Sequence, residues 1–284
     1  MVLNQNPPDA QIPITPDVLR EATQQLQPMK LPDDYSSKIA TINETIERLK
    51  GAADTFQRAV SPDSPEFEGD RGLNTLKASN AHFRLGEANR RMGLLFEGKK
   101  DKRAGGVLEG ARGEYKEAIK WGEDSYERLQ GNNPLLALSK SGVGNARMRL
   151  AQMSEGNERE GFFNLAAKDF EEAVKIDPGN PAIFHQRGVF FKELLSNLPK
   201  GDERMMQTES DAIESLKAAK ALYEKQGKGN NIAIAPTLYH LGLLMFEKTS
   251  HTIPDMKDGR ALLRLALNLD PNNELADKAR DKTQ

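Results

Sequence analysis

The residues of this chain that could carry catalytic chemistry are its histidines, serines and carboxylates, and their spacing does not form a catalytic pattern. Three of the four histidines, His82, His185 and His240, have no carboxylate four residues away. That is the spacing which places two metal ligands on one face of a helix. The neighbouring carboxylates Glu171 and Glu172 lie about 100° apart on a helix, which suits a solvated surface better than acid–base catalysis.

A glycine-containing run, Ser141-Gly142-Val143-Gly144-Asn145, has the composition of a phosphate-binding loop. It is not followed by the Gly-Lys-Ser or Gly-Lys-Thr sequence that binds nucleotide phosphates, and no strand precedes it. No other run combines a nucleophile with a nearby base. We therefore predict a protein that is not an enzyme, without a catalytic residue, a cofactor or a metal site.

Composition limits the classes of partner. The 40 basic and 42 acidic side chains leave a net charge of −2, which attracts neither nucleic acid nor an anionic membrane as a whole. One basic run, Lys99 to Arg103, has no interleaved aromatic residue and suits a solvated loop better than a nucleic-acid site. The chain has no cysteine, no signal-peptide pattern and no apolar run of about 18 residues. We expect a cytoplasmic protein without membrane insertion.

The elements that would position any site are helices. Apolar residues recur at spacings of three and four, in segments rich in Ala, Leu, Glu, Lys and Arg, which predicts an all-α protein. Six of the 15 prolines lie in the first 32 residues, which indicates an extended arm with a short helix opened by Pro16. Later prolines, at Asn133-Pro134, Asn180-Pro181 and Ala235-Pro236, mark expected helix starts.

Two turns have almost the same sequence. Asp177-Pro178-Gly179-Asn180 and Asp270-Pro271-Asn272-Asn273 each end one helix and open another. Self-similarity of this kind indicates internal repeats.

Small and large side chains recur around these turns at fixed spacings. The pattern is Ala166, Phe170 and Ala173, then Phe184, Gly188 and Phe191; later Leu238, Leu241, Gly242 and Met245, then Leu263, Ala266 and Pro271; upstream Leu85, Gly86 and Gly93, then Ala111, Tyr115 and Ala118; Val143, Gly144 and Ala146; and, most weakly, Ala52, Phe56 and Ala59. This pattern resembles the tetratricopeptide repeat, a pair of antiparallel helices of about 34 residues. The alternative is a non-repeating helical bundle with chance spacing.

The resemblance implies a right-handed superhelical stack of helix-turn-helix units, an α-solenoid. We expect residues 1–34 to form the proline-rich arm, and residues 35–284 to form one domain of four or five repeats with a C-terminal capping helix. Glycine within a helix costs about 1 kcal/mol relative to alanine. The glycines at equivalent places therefore predict close helix contacts: Gly86, Gly144, Gly188 and Gly242. Three polar inserts, Glu97 to Gly106, Ser154 to Gly161 and Leu198 to Glu209, are expected to be longer turns at one edge of the stack, and the alternative is that they lengthen the helices.

In this family the first helices of the repeats line a concave groove that binds ligands. Carried over to this sequence, the groove contains Phe83, Arg84, Glu87, Arg90, Arg91, Ser141, Asn145, Met148, His185, Val189, Lys192, Tyr239, Leu243 and Phe246. It runs from a polar, basic end to an apolar end at Tyr239, Leu243 and Phe246. The family's clamp for carboxylate termini needs a lysine where Ser141 stands, so that clamp is not reproduced.

These implications predict a scaffold or adaptor that binds a peptide or helix of a partner protein, acidic at one end and with an apolar anchor. The alternatives are a cytosolic receptor for a small signalling peptide, which would use the same groove, and a helical enzyme with an unrecognised site. The apolar residues could instead be covered by the capping helix or by a second copy of the chain, since a homo-oligomer is compatible with the sequence.

Overall fold

The computed structural model describes residues 16–26, 34–61, 70–227, 231–247, 253–271, 273 and 275–283. These residues form eleven α-helices and no β-strand, which confirms the predicted all-α class. Residues 1–15 of the expected arm lie outside the described residues. The helices are α1 (Pro16–Gln25), α2 (Tyr35–Ala59), α3 (Arg71–Gly98), α4 (Ala104–Arg128), α5 (Asn133–Gln152), α6 (Gly156–Ile176), α7 (Pro181–Asn197), α8 (Met205–Gln226), α9 (Asn231–Glu247), α10 (Ile253–Leu269) and α11 (Ala276–Thr283).

The chain forms two compact units, Met1–Arg128 and Leu129–Gln284. In the first unit, α1 packs against α2, α2 against α3, and α3 against α4. In the second unit each helix from α5 to α11 packs against the next, and α5 also contacts α7, α7 contacts α9, and α9 contacts α11. Contacts with the next helix and the next but one are what stacked helical hairpins produce. A single domain over residues 35–284 stays a prediction.

We call α3, α5, α7 and α9 the first helices, and α4, α6, α8 and α10 the second helices of their hairpins. Glycine lies where the two helices of a hairpin come closest. A Cβ atom added at Gly188 would lie 2.6 Å from Cγ of Leu216, although carbon atoms in contact are about 3.5–4.0 Å apart. The large residue of the second helix therefore occupies the space that glycine leaves, and the predicted packing role of these glycines is confirmed. The other pairs are Gly86 with Tyr115, Gly144 with Phe170, and Gly242 with Leu263.

The two similar turns also have the same geometry. The Asn180 side-chain amide donates to Asp177 Oδ2 over 3.1 Å, and its Oδ1 accepts from the backbone N–H of Ala182 over 3.1 Å. In the later turn, Asn273 donates to Asp270 over 3.1 Å and accepts from the N–H two residues further on over 3.1 Å. Each asparagine thus closes one helix and caps the next, as the sequence predicts.

Each of the three inserts is part helix and part turn, so helix extension and a lengthened connection both occur. Only residues 99–103, 153–155 and 198–204 lie between the helices concerned. The N-terminal extension of α4 is held by packing, since Ala104 and Val107 contact the core of the first unit. Leu108 fills the space beside Gly93. Packing of side chains against a neighbouring helix stabilises a helical segment, even one that contains glycines.

Helix α9 begins earlier than expected. Pro134 and Pro181 open α5 and α7, whereas Pro236 lies inside α9, which starts at Asn231. A proline near the beginning of a helix removes only a hydrogen bond of the first turns. Helix α9 can therefore begin before Pro236, where the sequence pattern predicts its start.

Candidate partner-binding surface

The basic end of the predicted groove lies on α3, in the first unit, and is partly neutralised. Arg90 Nη2 lies 3.4 Å from Glu87 Oε2, and the Tyr115 hydroxyl donates to Glu87 Oε1. Phe83 stacks on Tyr115 with ring centroids 5.7 Å apart. Glu87 therefore compensates part of the Arg90 charge, and a contact of Arg90 with a partner stays a prediction. The sequence indicates this ion pair, because Glu87 and Arg90 are three residues apart on a helix.

Arg84 differs from Arg90. It is half-buried, and its Nε donates to Asn80 Oδ1 over 3.1 Å. Burial, and then the positive charge of Arg48, lower the pKa of the Arg84 guanidinium. No carboxylate pairs with Arg84 among the described residues. Arg91 is half-buried on the same helix.

The first unit contains a histidine network that the sequence does not reveal. His82 Nδ1 lies 2.7 Å from Glu114 Oε2, and its Nε2 lies 2.7 Å from Gln57 Nε2. The amide donates to Nε2 and the ring donates from Nδ1 to the carboxylate. Both ring nitrogens are therefore occupied, and no nucleophile is activated by this ring. The network joins α2, α3 and α4.

In the second unit, several predicted groove residues belong to the core. Met148 is 2% exposed, whereas Ser141, Tyr239 and Leu243 are completely buried. The Ser141 hydroxyl donates to the Gln186 side chain and so links α5 to α7. The assignment of these four residues to an accessible groove is wrong.

The terminal helix explains the burial at the apolar end. The Tyr239 hydroxyl donates to the backbone carbonyl of Asp270 over 2.6 Å. Tyr239 and Leu243 share a core cluster with Ala276 and Ala279 of α11. The alternative that a capping helix covers these residues is therefore the arrangement present.

Phe246, the third predicted residue of the apolar end, is half-buried. Two cations lie over its ring: the Arg260 guanidinium carbon at 5.6 Å and Lys282 Nζ at 5.1 Å from the ring centroid. An apolar anchor of a partner would have to displace these contacts.

The remaining predicted residues of the second unit lie on two neighbouring first helices. Asn145 on α5, and His185, Val189 and Lys192 on α7, are all half-buried. The Lys192 side chain is only 18% exposed, and its Nζ lies 3.8 Å from Glu193 Oε1. Most of the Lys192 side chain is therefore covered by neighbouring residues. We call Asn145, His185, Val189 and Lys192 the α5–α7 surface.

A second histidine, which the groove prediction omitted, lies beside this surface. The rings of His185 and His240 have centroids 5.6 Å apart. Thr237 Oγ1 lies 3.0 Å from His185 Nδ1, whereas His240 Nδ1 is buried without a hydrogen-bond partner. The sequence contains a hint: when Gly188 is aligned with Gly242, His240 falls one residue after the equivalent of His185.

Both rings are held neutral at pH 7. Burial lowers the pKa of the His185 imidazole to about 4. Burial also lowers the pKa of His240 well below its usual value, and positive charge on His185, once that ring is protonated, and on Lys192 and Lys278 lowers it further.

A groove of about 500 Å³ lies between α8, α9 and α10. Leu241, Met245, Leu262 and Leu265 line its apolar part, and Lys217, Lys220 and Asp258 line its polar part. Leu241 lies about 100° from His240 around α9, so this groove opens on another face of that helix.

No group of three or more potential ligands that could hold a metal ion occurs in the described parts of the chain. Within the same ranges, no helix is long and apolar enough to cross a membrane.

No family model and no curated protein matches this sequence. Among solved structures, the chain is similar to TTC0263, a thermophilic TPR protein of Thermus thermophilus, at 15% identity and a TM-score of 0.53, over 94% of this chain and 97% of that one. It also matches the de novo designed helical repeat protein DHR64, at 14% identity and a TM-score of 0.37, over 93% and 95% of the two chains. A third match is the C-terminal part of a TPR repeat-containing protein from Cytophaga hutchinsonii, at 12% identity and a TM-score of 0.34, over 86% and 99%.

Of these three similarities, the first has a TM-score above 0.5, and it shows a similar fold. It agrees with the helical hairpins, the glycine contacts and the two similar Asp–Asn turns described above. The chain therefore has a tetratricopeptide-like helical repeat fold.

Proposed function

We propose that this protein is a non-catalytic interaction scaffold, and that its second unit binds a peptide or helix of a partner protein on the α5–α7 surface. The observation that supports this most directly is the set of half-buried side chains, three polar and one apolar, on two neighbouring first helices. Packed helices lie about 8–10 Å apart, a distance that an extended peptide spans with about three residues.

The chemistry of this surface suits a peptide. Asn145 offers both a donor and an acceptor for a peptide backbone, and Val189 offers an apolar contact. Lys192 adds a positive charge in a recess, where solvent screens it less than at an open surface. Because the side chains are already recessed between helices, little side-chain entropy would be lost on binding.

The predicted apolar anchor is not part of this proposal. Tyr239 and Leu243 are covered by α11, so a partner would have to find its apolar contacts at Val189. The cytoplasmic location expected from the cysteine-free composition stays a prediction.

Site-specific photocrosslinking tests the proposal. A photoreactive phenylalanine analogue is placed at Val189 and, as a matched control, at Leu165, which is 42% exposed on the second helix α6. We expect a partner to crosslink at position 189 and not at position 165. The additional changes Asn145→Ala and Lys192→Ala should remove the adduct while the circular dichroism spectrum stays the same. Equal crosslinking at both positions, or an adduct that survives these changes, would contradict the proposal.

A further inference from the structure

The groove between α8, α9 and α10 lies in the second unit and shares no residue with the α5–α7 surface. The second helices α8 and α10 both pack against α9. Leu241 and Met245 of α9 are 2% and 8% exposed and form the floor of the groove, which encloses about 500 Å³. Because its floor belongs to the core, the groove is a fixed part of the fold.

The rims of the groove expose apolar side chains to solvent. Leu265 of α10 is 45% exposed, and Ala221 of α8 and Ala261 of α10 are exposed as well. On each rim the lining residues follow one another at spacings of three and four, so they form one stripe along their helix. The stripe on α8 consists of Lys217, Lys220 and Ala221, and the stripe on α10 consists of Asp258, Ala261, Leu262 and Leu265. An exposed apolar surface bordered by charged residues is typical of a contact with another molecule.

The two rims carry opposite charges. Lys217 lies on the α8 rim and Asp258 lies on the α10 rim, and both are exposed. Neither forms a hydrogen bond or an ion pair with another residue that the structure describes, whereas Lys220 pairs with Glu224 over 2.7 Å. A molecule that complements both rims must therefore place an acidic group over α8 and a basic group over α10.

A second copy of this chain meets that requirement by symmetry. A two-fold axis that runs along the groove places α8 of one copy over α10 of the other, and the reverse. Helices α8 and α10 are the second helices of successive hairpins and run in the same direction. Lys217 and Asp258 are each the first lining residue of their helix, so they lie at the same end of the groove. Lys217 of each copy then faces Asp258 of the other copy.

We propose that this groove is a self-association surface through which two copies of the chain form a two-fold symmetric dimer. Leu265 of each copy covers the α8 rim of the other, where the small side chain of Ala221 leaves room for it. Two Lys217–Asp258 ion pairs border this apolar contact. The proposal goes beyond the scaffold function, since it concerns another surface and another partner.

The size of the surface predicts how stable this dimer is. Helix α10 has 17 residues and is about 25 Å long. Two helices of about 10 Å diameter side by side make a face about 20 Å wide, so each copy contributes about 500 Å² and the contact buries about 1,000 Å² in total. This area is at the lower limit for a specific protein contact, so we expect a dimer that dissociates on dilution.

Sedimentation velocity of the full chain, at concentrations from about 1 to about 300 μM, measures this association. We expect a reversible monomer–dimer equilibrium. Leu265→Ser should weaken it at least about tenfold, because each dimer loses two apolar contacts at the centre of the surface. Leu165→Ser is the matched control: Leu165 is 42% exposed on the second helix α6, and its loss should leave the equilibrium unchanged.

Charge reversal tests the two-fold arrangement. In a dimer of Lys217→Glu chains, carboxylates face each other at both borders, and in a dimer of Asp258→Lys chains two ammonium groups do so. Each variant alone should therefore associate at least about tenfold more weakly than the original chain. An equimolar mixture of the two variants restores an opposite-charge pair at both borders, so the mixture should form dimers again. Lys168→Glu, an exposed control on α6, should have no effect.

A chain that stays monomeric over the whole concentration range would overturn the proposal, as it would if the groove instead took a helix of another protein or a small apolar ligand. Equal effects of Leu265→Ser and Leu165→Ser would place the contact elsewhere and overturn it as well. A mixture of the two charge variants that associates no better than either variant alone would refute the two-fold pairing. All variants should retain the circular dichroism spectrum of the original chain, since every substituted side chain is exposed.

Discussion

The contact between Gly188 and Leu216 makes a quantitative prediction for the substitution Gly188→Ala. The added methyl would lie 2.6 Å from Leu216 Cγ and 3.2 Å from the Leu216 backbone nitrogen. The side chain can rotate, but the backbone nitrogen belongs to helix α8 and cannot move alone. Overpacking of this kind costs about 1–3 kcal/mol. Alanine recovers about 1 kcal/mol of helix propensity relative to glycine, so the net destabilisation is about 0–2 kcal/mol.

A matched control removes the propensity contribution. Gly142 lies in helix α5 of the same unit, and a Cβ atom there would meet nothing within 4 Å. Gly142→Ala should therefore stabilise by up to about 1 kcal/mol. The two variants differ by the clash alone, which predicts a difference in unfolding free energy of about 1–3 kcal/mol. Urea unfolding followed by circular dichroism at 222 nm measures this difference.

A double-mutant cycle tests whether Leu216 is the residue responsible. Leu216→Ala removes the side-chain atoms that lie 2.6 Å and 2.8 Å from the added methyl of Gly188→Ala, and leaves the contact of 3.2 Å with the backbone nitrogen of residue 216. The double variant should be more stable than the sum of the single changes by about 0.5–3 kcal/mol. Identical urea midpoints for Gly188→Ala and Gly142→Ala, or strictly additive changes, would refute the assignment of Gly188 as a contact between helices.

Two further predictions concern buried charges in the second unit. The pKa of His185 is about 4 in the folded protein, whereas its ordinary value is 6.5. As the pH falls, the unfolded chain therefore takes up the proton first. The folded state should lose up to about 3 kcal/mol of stability between pH 6.5 and pH 4. His185→Gln should reduce this loss in urea titrations at pH 7 and pH 4.5, and parallel losses in both proteins would contradict it. Asp169 is 4% exposed and accepts from Arg147 Nη1 over 2.6 Å, so Arg147→Gln should cost about 3–5 kcal/mol by removing this cation from a buried carboxylate. Adding Asp169→Asn should restore part of the loss, and a cost below about 1 kcal/mol for the single change would contradict this explanation.

The repeat pattern could be predicted because it depends on local spacing. In each of the four hairpins, a glycine of the first helix meets a large residue of the second helix within a short stretch of chain, as with Gly188 and Leu216. The Asp–Asn turns are equally local, since each hydrogen bond joins residues two or three positions apart. Features that close within one hairpin leave a periodic signal in the sequence.

The site could be predicted only in part because burial and charge pairing depend on other helices. Tyr239 occupies a groove position in the repeat pattern, but α11, which is not part of that pattern, covers it. The environment of the His240 ring depends on His185, which lies 55 residues earlier, and no local spacing connects the two. Glu87, which compensates part of the Arg90 charge, also accepts a hydrogen bond from Tyr115 of the following helix. Each of these effects requires knowing which helices meet.

The packing of α11 also has a consequence for assembly. Only Ala276 and Ala279 of this helix are buried, and they cover the apolar cluster of Tyr239, Leu243 and Leu263. A stacked hairpin with such a face uncovered could accept the first hairpin of another copy, and repetition of that head-to-tail contact would produce an open filament. Helix α11 packs its small apolar residues on this face and leaves Asp277, Lys278 and Arg280 exposed on its other side, so within this chain the face that such a contact would need is covered.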